Sequence, residues 1–557
     1  MLNALFKRHS APLVVFVQRP MTIKSDADLN IQMKLFNDKK QFKKTLELFD
    51  EHKEKYIGTL SSFTITQALK ACAQIGDLQS GSTIHRHISS RLSNDHYILA
   101  SLIHLYMQCS DVARAESLFG MSKKKTKAMY GAMMKGYVDN NLPEKAIDLF
   151  NEIEYPDDVN RIILFNACAQ LKTKEALDLV KKTSKQIPKS FYSNPRLLTS
   201  LLDALMKCGD VAHAESLFYS SKQKVLPMYG AIMKGYVEND LAQKTIELFN
   251  ELKNPTDVNK ILLNQMKLDD IQSSIPIYLS SIKAVSQIGD YSKAQSIFKQ
   301  IPDSLLVESK IRSALIDLWG KVGSVDEAKL IFDKIRQPNI IQYTAMVNSY
   351  GLNGMGMQAI ALFHQIPREF LHEATYVCAL NACSHSGLVG EARLIFKNIE
   401  MKTVRIYSTM IDCLSRASAF EQAQELIDEY ERNHSPESTM YMALLSGARN
   451  AKNVYLSQNI YDRMKKLFLE KKDPLISAAV LLANTYASSG EIDKASDIRL
   501  EIYKSGTKKK VGLTWITVDG QLYTFRAHDR SHPRSNEIYA EGEKISNEII
   551  KYRHQYD

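Results

Sequence analysis

The chain has 557 residues, of which 45% are hydrophobic and 24% are charged, and its formal net charge is +10 at pH 7. This composition is ordinary for a folded soluble protein, and the mild positive excess suits a phosphate backbone as partner without requiring one. No apolar run approaches the ~18–20 residues of a membrane-spanning helix, so no membrane span is predicted.

Residues 1–25 are basic and apolar, and no acidic residue occurs before Asp26. Lys7, Arg8 and Arg19 flank a hydrophobic run at 13–17. A basic, hydroxyl-bearing, acid-free start is typical of a transit peptide. We therefore expect residues 1–25 to be a mitochondrial targeting segment; a disordered basic leader is the alternative.

From Asp26 onward the sequence repeats itself, most visibly in the stretch Met129-Tyr-Gly-Ala-Met-Met-Lys-Gly-Tyr137. Nearly the same sequence occurs again from Met228 to Tyr236. The equivalent tyrosines, Tyr130 and Tyr229, are 99 residues apart. A fixed period is the signature of a repeat architecture. The 99-residue block contains three shorter repeats rather than one large module.

Each short repeat is predicted to be a helix pair, because an apolar pattern of helical period is interrupted by a polar turn and then resumes. The predicted first helices begin at residues 26, 62, 96, 127, 158, 195, 226, 275, 309, 340, 373 and 404, with a shrunken repeat around 257–274. A helix pair cannot bury its apolar face alone, so the pairs must stack. The predicted fold is all-α: a right-handed superhelical solenoid of helix-turn-helix repeats over residues 26–437.

The pattern changes after Glu437. Residues 438–511 are predicted to be a helical, repeat-like extension. In the region 512–557, β-branched and aromatic residues alternate around Asp519-Gly520, which predicts a small β-hairpin, and a polar helix follows from about Pro533. The seven cysteines form no Cys-x-x-Cys pair and are predicted to be buried free thiols in a reducing compartment.

The first helices share a row of polar side chains. Counted from each repeat's start, position 9 is always polar, and position 5 lies one turn earlier on the same helix face. In the shorter repeats position 5 is small or hydroxyl-bearing, and a stacked row of this kind would let a linear ligand be read one repeat at a time. The alternative is that the row only keeps this face solvated, and composition alone favours peptide and nucleic-acid ligands similarly.

The sequence resembles the pentatricopeptide repeat family. The resemblance is to the subclass that mixes standard, long and short repeats and has a C-terminal extension. Lys70-Ala-Cys-Ala, Leu102-Ile-His-Leu-Tyr-Met-Gln-Cys109 and Asn381-Ala-Cys-Ser-His-Ser-Gly-Leu388 match its repeats. Trp515-Ile-Thr-Val-Asp-Gly520 and Asp529-Arg-Ser-His-Pro-Arg534 match its extension, and these motifs are the more specific. The resemblance covers nearly everything after residue 26 and implies organellar, single-stranded RNA binding and C-to-U RNA editing.

In that family, position 5 and the last residue of a repeat together select a base. Carried over to this chain, the pairs are Asn30 with Ser61, Thr66 with Asp95, Ala100 with Thr126, Gly131 with Asp157, Thr199 with Val225, Gly230 with Thr256, Ser313 with Asn339, Thr344 with His372, and Ser408 with Glu437. The resemblance makes Asn30/Ser61 a cytosine reader, Thr66/Asp95 a guanine reader and Ser313/Asn339 an adenine reader. Val225 and the two glycines depart from the family pattern. At position 13, Lys207, Lys321 and Arg416 are candidate phosphate contacts, whereas Asp139 and Glu238 occupy that position in other repeats.

Editing members of the family often end in a zinc deaminase, which needs a His-x-Glu motif and a Cys-x-x-Cys pair. The chain's one His-x-Glu is His52-Lys-Glu54, without a cysteine pair, and the chain stops at Asp557, before the place where a deaminase would begin. We therefore expect no catalytic residues, no metal site and no cofactor in this chain. Zinc would belong to a deaminase or accessory editing protein acting from another chain.

The resulting hypothesis is a sequence-specific RNA-binding factor for C-to-U editing. The alternatives are an RNA stability or processing factor, a protein-interaction scaffold of helical repeats, and a truncated editing deaminase.

Overall fold

The computed structural model describes residues 23, 25–53, 60–88, 95–122, 124–187, 194–221, 223–253, 271–470, 472–504, 513–518, 521–526 and 534–553. These residues form helix pairs throughout, with two short strands near the end. The chain divides into an N-terminal segment, Met1–Asn239, and a C-terminal segment, Asp240–Asp557. Each consists mainly of stacked helix pairs, and the two strands belong to the C-terminal segment.

In the N-terminal segment the first helices are Asp26–Asp38, Ser62–Ile75, His96–Gln108, Lys127–Asp139, Asp158–Leu171, Pro195–Lys207 and Leu226–Glu238. The second helices are Phe42–Lys53, Leu78–Ile88, Val112–Met121, Pro143–Asn151, Lys174–Lys185 and Val211–Ser220. Successive first helices pack against each other, and each second helix packs against the first helix of its own repeat.

The C-terminal segment begins with Ala242–Lys253 and continues with the first helices Ile271–Ile288, Ser309–Lys321, Ile340–Leu352, Glu373–Ser386, Val404–Arg416, Ser438–Asn450 and Lys472–Ser488. Their partners are Tyr291–Gln300, Val325–Asp333, Gly356–Phe363, Val389–Lys397, Phe420–Glu431, Val454–Leu467 and Ile492–Lys504. A four-residue helix, Asp303–Leu306, and a 3-10 turn, Arg368–Phe370, lie between repeats.

The predicted repeat starts are confirmed with one exception: every one except residue 275 is the first residue of a helix. At that place the helix begins at Ile271 instead, with Pro276 inside it. A helix starting at residue 275 would hold Pro276 in its first turn, where a missing N–H costs least. The shrunken repeat expected around 257–274 lies mostly outside the described residues.

The turns between paired helices contain a residue with left-handed backbone conformation, and in several of them this residue is glycine. Gly209 has φ +86° and Gly323 has φ +82°. Glycine adopts this conformation without the steric penalty that a Cβ introduces. The Cys208-Gly-Asp and Val322-Gly-Ser turns therefore end one helix and begin the next.

Two devices hold neighbouring first helices of the N-terminal segment together. A Cβ on Gly136 would lie 2.4 Å from Cβ of Met107 in the preceding first helix, so only glycine permits this approach. Asn140 follows the same helix, and its Nδ2 donates to the carbonyl oxygens of Met107 and Gly136, both at 2.8 Å. The duplicated block repeats both features, with Gly235 against Met206 and Asn239 donating to the Met206 carbonyl.

After the last helix pair, the strands Leu513–Val518 and Gln521–Arg526 pair antiparallel, with Val518 opposite Gln521. They flank Asp519 and Gly520, where the sequence places the turn; those two residues lie outside the described ones. The terminal helix is Ser535–Arg553, two residues later than predicted from Pro533. Among the described residues, no helix is long and apolar enough to cross a membrane.

Candidate nucleic-acid interface

One face of every described first helix up to Val404–Arg416 is exposed, and we call it the exposed stripe: positions 2, 5, 9 and 13 of each repeat. Spacings of three and four residues place these positions along one side of a helix. Position 2 is exposed throughout, whereas position 5 is half-buried in every described repeat except at Gly230 and Val377, which are buried. The stripe therefore offers a repeated surface with a deeper row at position 5.

Position 2 is a part of the stripe that the sequence pattern alone does not indicate. Phe63, Tyr97, Val159 and Ile341 are large apolar side chains there, with exposed fractions of 63%, 71%, 58% and 60%. The rings of Phe63 and Tyr97, from successive repeats, have centroids 6.3 Å apart. In the sequence these residues follow the apolar helical period, but they fall two residues after the helix N-cap and outside the buried side of the helix. Exposed rings and aliphatic chains at this spacing can support stacked bases.

Position-5 hydroxyls are engaged in local hydrogen bonds. Thr199 donates to the Pro195 carbonyl at 2.7 Å, Ser313 to the Ser309 carbonyl at 2.9 Å, and Thr66 to the Phe63 carbonyl at 2.8 Å. Such a hydroxyl keeps its oxygen lone pairs, so it remains an acceptor for a base amino group. In two further repeats the hydroxyl instead meets a threonine of the next repeat: Thr344 with Thr375 at 2.8 Å, and Ser408 with Thr439 at 3.1 Å.

The remaining position-5 candidates have no hydroxyl. Asn30 and Ala100 are half-buried on the same face. Gly131 leaves space around it, because an added Cβ would meet only Nδ2 of Asn160, at 3.8 Å.

The last residue of each repeat proves to be the N-cap of the next first helix. Ser61, Asp95, Thr126, Asp157, Asn339 and His372 each accept a hydrogen bond from a backbone N–H of the first turn. Val225 and Glu437 occupy the same place without a side-chain cap, and Thr256 lies outside the described residues. Capping alone favours Ser, Thr, Asp and Asn here, so the residue type at this position has a structural cause besides any contact with a base.

Both members of a candidate base-reading pair lie near the N-terminal ends of neighbouring first helices. Position 5 lies just over one turn into the first helix of its repeat, and the last residue of the repeat caps the next first helix. The Asp95 carboxylate illustrates the electrostatics. Burial would raise its pKa, but hydrogen bonds from Ser62 and from the backbone N–H groups of Ile98 and Tyr97 outweigh this and hold the pKa below its ordinary value. Asp95 is therefore an ionised acceptor at neutral pH.

The candidate phosphate contacts at position 13 are each ion-paired with position 9 of the same helix. Lys207 lies 2.7 Å from Asp203, Lys321 2.7 Å from Asp317, and Arg416 2.8 Å from Asp412. The order is reversed in the Leu226–Glu238 helix, where Lys234 at position 9 lies 3.9 Å from Glu238 at position 13. These pairs offset the positive charge that the sequence analysis assigned to phosphate binding.

Free positive charge lies instead at position 9 of the early repeats. Lys34, Lys70 and Lys135 are exposed and make no ion pair with any described residue. His104 occupies the same position between Lys70 and Lys135. Burial, reinforced by the charges of Lys135 and Lys70, lowers the pKa of His104, so its ring is neutral at pH 7. The His104 ring is thus influenced by position-9 lysines of both the preceding and the following repeat.

Within the described part of the chain, no group of three His, Cys, Asp or Glu residues is arranged to hold a metal ion. Nδ1 of His52 lies 3.0 Å from the Leu48 carbonyl oxygen, which indicates a role within its own helix; Glu54 lies outside the described residues. All seven cysteines are free thiols. Burial raises the pKa of Cys72, Cys168 and Cys383 to about 12.

Comparison with known proteins identifies the repeats. The family model described as "PPR repeat" matches residues 128–155, 197–224, 227–254, 312–340, 343–369, 374–404 and 405–434. Each match begins within three residues of a first helix, so the matched repeats and the helix pairs coincide.

Three Arabidopsis thaliana proteins, all named pentatricopeptide repeat-containing, are similar along most of this chain. One is 26% identical, covering 97% of this chain and 76% of that protein. One named chloroplastic is 24% identical, covering 87% of this chain and 60% of that protein. One named as putative and mitochondrial is 25% identical, covering 88% of this chain and 78% of that protein. This chain thus spans less than two thirds of the chloroplastic relative.

Among solved structures, the maize pentatricopeptide repeat protein PPR10 is 15% identical, with a TM-score of 0.43 over 86% of this chain and 80% of that one. Its complex with an 18-nt psaJ RNA element gives a TM-score of 0.42 at 15% identity over 88% of this chain and 76% of that one. The seven matched repeats show that this chain contains pentatricopeptide repeats, and the named relatives are similar to it along most of its length.

Proposed function

We propose that this protein binds single-stranded RNA along the exposed stripe of its first helices. Bases stack against position 2, their edges meet position 5 and the last residue of the repeat, and phosphates meet the position-9 lysines. The proposal rests on one face that combines exposed apolar side chains, such as Phe63 and Tyr97, with exposed lysines, such as Lys70, that pair with no described acidic residue. Aromatic platforms beside positive charge are how proteins hold single strands.

A protein-interaction scaffold is the competing function, and the charge pattern argues against it. A peptide-binding surface gains little from a row of unpaired lysines, whereas a polyanion gains from each one. The repeated geometry also suits a ligand that is itself regular along its length.

The finer function that we propose is specificity for C-to-U editing, with a deaminase supplied by another chain. The support is the resemblance of Trp515-Ile-Thr-Val-Asp-Gly520 and Asp529-Arg-Ser-His-Pro-Arg534 to the extension of the editing subclass. We propose that residues 26–437 hold the RNA and that residues 438–511 and 512–557 contact the deaminase or an accessory editing protein. Zinc enters only with that partner.

We also propose an organellar location, and a mitochondrial one in particular, from the basic, acid-free residues 1–25. Relatives named chloroplastic and mitochondrial support an organelle in general. A fluorescent fusion of the full chain would co-localise with a mitochondrial marker, and plastid fluorescence would contradict the finer assignment.

RNA binding is tested by crosslinking the tagged full-length protein to RNA in cells, followed by immunoprecipitation and sequencing. Recovery of a small set of organellar transcripts is expected, with loss of C-to-U conversion in them when the gene is disrupted. Changed transcript abundance with intact editing would favour a stability factor. Recovery of a stable protein partner and no transcript would overturn RNA binding.

Salt dependence tests which lysines meet phosphate. For single strands the slope of log K against log salt is about −0.7 per phosphate neutralised. Replacing Lys70 and Lys135 together by Gln should make the slope shallower by about 1.4. The matched control replaces Lys182 and Lys185, which are exposed on the second helix Lys174–Lys185, and should leave the slope unchanged. Equal effects of both double variants would contradict the assignment.

A further inference from the structure

The first residue of several repeats bonds to the last residue of the same repeat. Ser309 Oγ accepts from Nδ2 of Asn339 at 2.7 Å. Ser62 Oγ donates to Oδ2 of Asp95. Asn194 Nδ2 donates to Asp158 at 3.0 Å, and Thr403 Oγ1 donates to Glu373 at 2.6 Å. In the first repeat, Oδ2 of Asp26 accepts from the backbone N–H of Ser61 at 3.2 Å. We call each of these contacts a brace.

The braces are distributed unevenly among the candidate base-reading pairs. They hold the side chains of Asp95 and Asn339 and the backbone N–H of Ser61, and these three residues complete the pairs that match the family's usual combinations. In the repeats ending at Thr126, Asp157, Val225, His372 and Glu437, the first residues are His96, Lys127, Pro195, Ile340 and Val404, and no brace forms. Capping does not explain this difference, since Thr126 and Asp157 cap their helices as Asp95 does.

The effect of a brace is clearest at Asn339. Its Oδ1 accepts from the backbone N–H of Gln342 at 3.1 Å, while its Nδ2 donates to Ser309. Exchanging the amide oxygen and nitrogen would set an N–H against the Gln342 N–H, so the orientation is fixed. One N–H and one lone pair remain available in the amide plane. This donor–acceptor pair complements the N6 and N7 atoms of adenine.

Ser309 touches both members of the pair. Its carbonyl oxygen accepts from Ser313 at position 5, and its hydroxyl oxygen accepts from Asn339 and from Nε2 of Gln342 at 3.3 Å. At Asp95 the brace orients a side chain that only accepts hydrogen bonds. Its Oδ1 accepts from the N–H groups of Tyr97 and Ile98, and its Oδ2 accepts from the Ser62 hydroxyl. A held carboxylate presents lone pairs, which complement the N–H donors of guanine.

We propose that the first residue of a repeat is a positioning residue for base selection: Ser309 and Ser62 orient the base-reading side chains of Asn339 and Asp95. The inference rests on the proposed RNA binding. A side chain fixed by a brace loses little rotamer entropy when it binds a base. A side chain without a brace loses more, so it discriminates less strongly between bases. The braced repeats therefore carry most of the chain's base discrimination.

The test uses the full chain and a fully randomised pool of single-stranded RNA oligonucleotides, selected in parallel by parent and variants and then sequenced. In Ser309→Ala, the preference at the one nucleotide facing that repeat should fall about two- to tenfold, the range for one neutral hydrogen bond. Preferences at the other nucleotides should persist. Ser309→Thr keeps the hydroxyl and should retain the preference. Lys127→Ala alters the same position in an unbraced repeat and should change nothing.

The outcomes separate the two proposals. An unaltered nucleotide preference in Ser309→Ala, with RNA still bound, would overturn the positioning role and leave RNA binding standing. A uniform loss of affinity across all positions, with a lowered melting temperature, would assign Ser309 a structural role only. Failure of the parent protein to enrich any RNA would overturn both.

Discussion

Nζ of Lys321 lies 2.7 Å from Oδ2 of Asp317, one turn earlier on the same helix. A phosphate reaching Lys321 must therefore compete with a carboxylate. Asp317→Asn removes that competitor and should raise RNA affinity, steepening the slope of log K against log salt by up to about 0.7. Lys321→Gln should change both quantities little. Fluorescence anisotropy over a potassium chloride series measures the effect, and weaker binding by Asp317→Asn would contradict it.

Two glycines five residues apart in one helix should respond oppositely to alanine. A Cβ at Gly131 meets only Nδ2 of Asn160 at 3.8 Å, so Gly131→Ala should stabilise the fold by about 0.5–1 kcal/mol through helix propensity. A Cβ at Gly136 would overlap Met107, so Gly136→Ala should cost about 1–3 kcal/mol. Thermal unfolding of the two variants side by side checks this. Equal shifts in melting temperature for the two variants would mean that Gly131 and Gly136 are equally closely packed, and would contradict this prediction.

The repeat containing Gly131 should also accept a new base preference. Gly131→Thr creates, with Asp157, the same pair as Thr66 with Asp95, and the available space admits the side chain. We expect a guanine preference at the facing nucleotide in a randomised-pool selection. Adding Lys127→Ser supplies the missing brace and should sharpen that preference. A double variant no more selective than Gly131→Thr alone would count against the brace.

The buried thiols predict a loss of stability in alkali. Burial raises the pKa of Cys72, Cys168 and Cys383 from 9.0 to about 12. Above about pH 9 the unfolded chain releases these protons while the folded chain keeps them, so stability present below pH 9 is lost as pH rises toward 12. The urea midpoint should be lower at pH 10 than at pH 8. Cys168→Ala should show a shallower decline, and an identical decline would exclude a contribution from Cys168.

The sequence predicts the helix starts well because their signals are local. Most starts combine a capping residue, such as Asp157 or Asn339, with an apolar period that follows at once. The same locality explains the one error: Pro276 marks a first turn in most helices, but here the helix begins earlier, at Ile271.

Other features of the candidate interface depend on distant residues. Asn339 and Ser309 are 30 residues apart, and nothing in the local pattern indicates that their side chains meet. The apolar residues Phe63 and Tyr97 resemble core residues in the sequence, and only the packed helices show that they face solvent. By contrast, the pairing of Lys207 with Asp203 follows from their spacing of four residues and is predictable when helix and charge are considered together.

The most direct test of RNA binding along the exposed stripe is ultraviolet crosslinking of the full-length protein to single-stranded RNA, with the crosslinked residues mapped by mass spectrometry. Crosslinks are expected in the first helices, foremost at Phe63 and Tyr97, and should weaken at high salt. Crosslinks confined to the second helices, or none at RNA concentrations that saturate binding, would contradict the proposed interface.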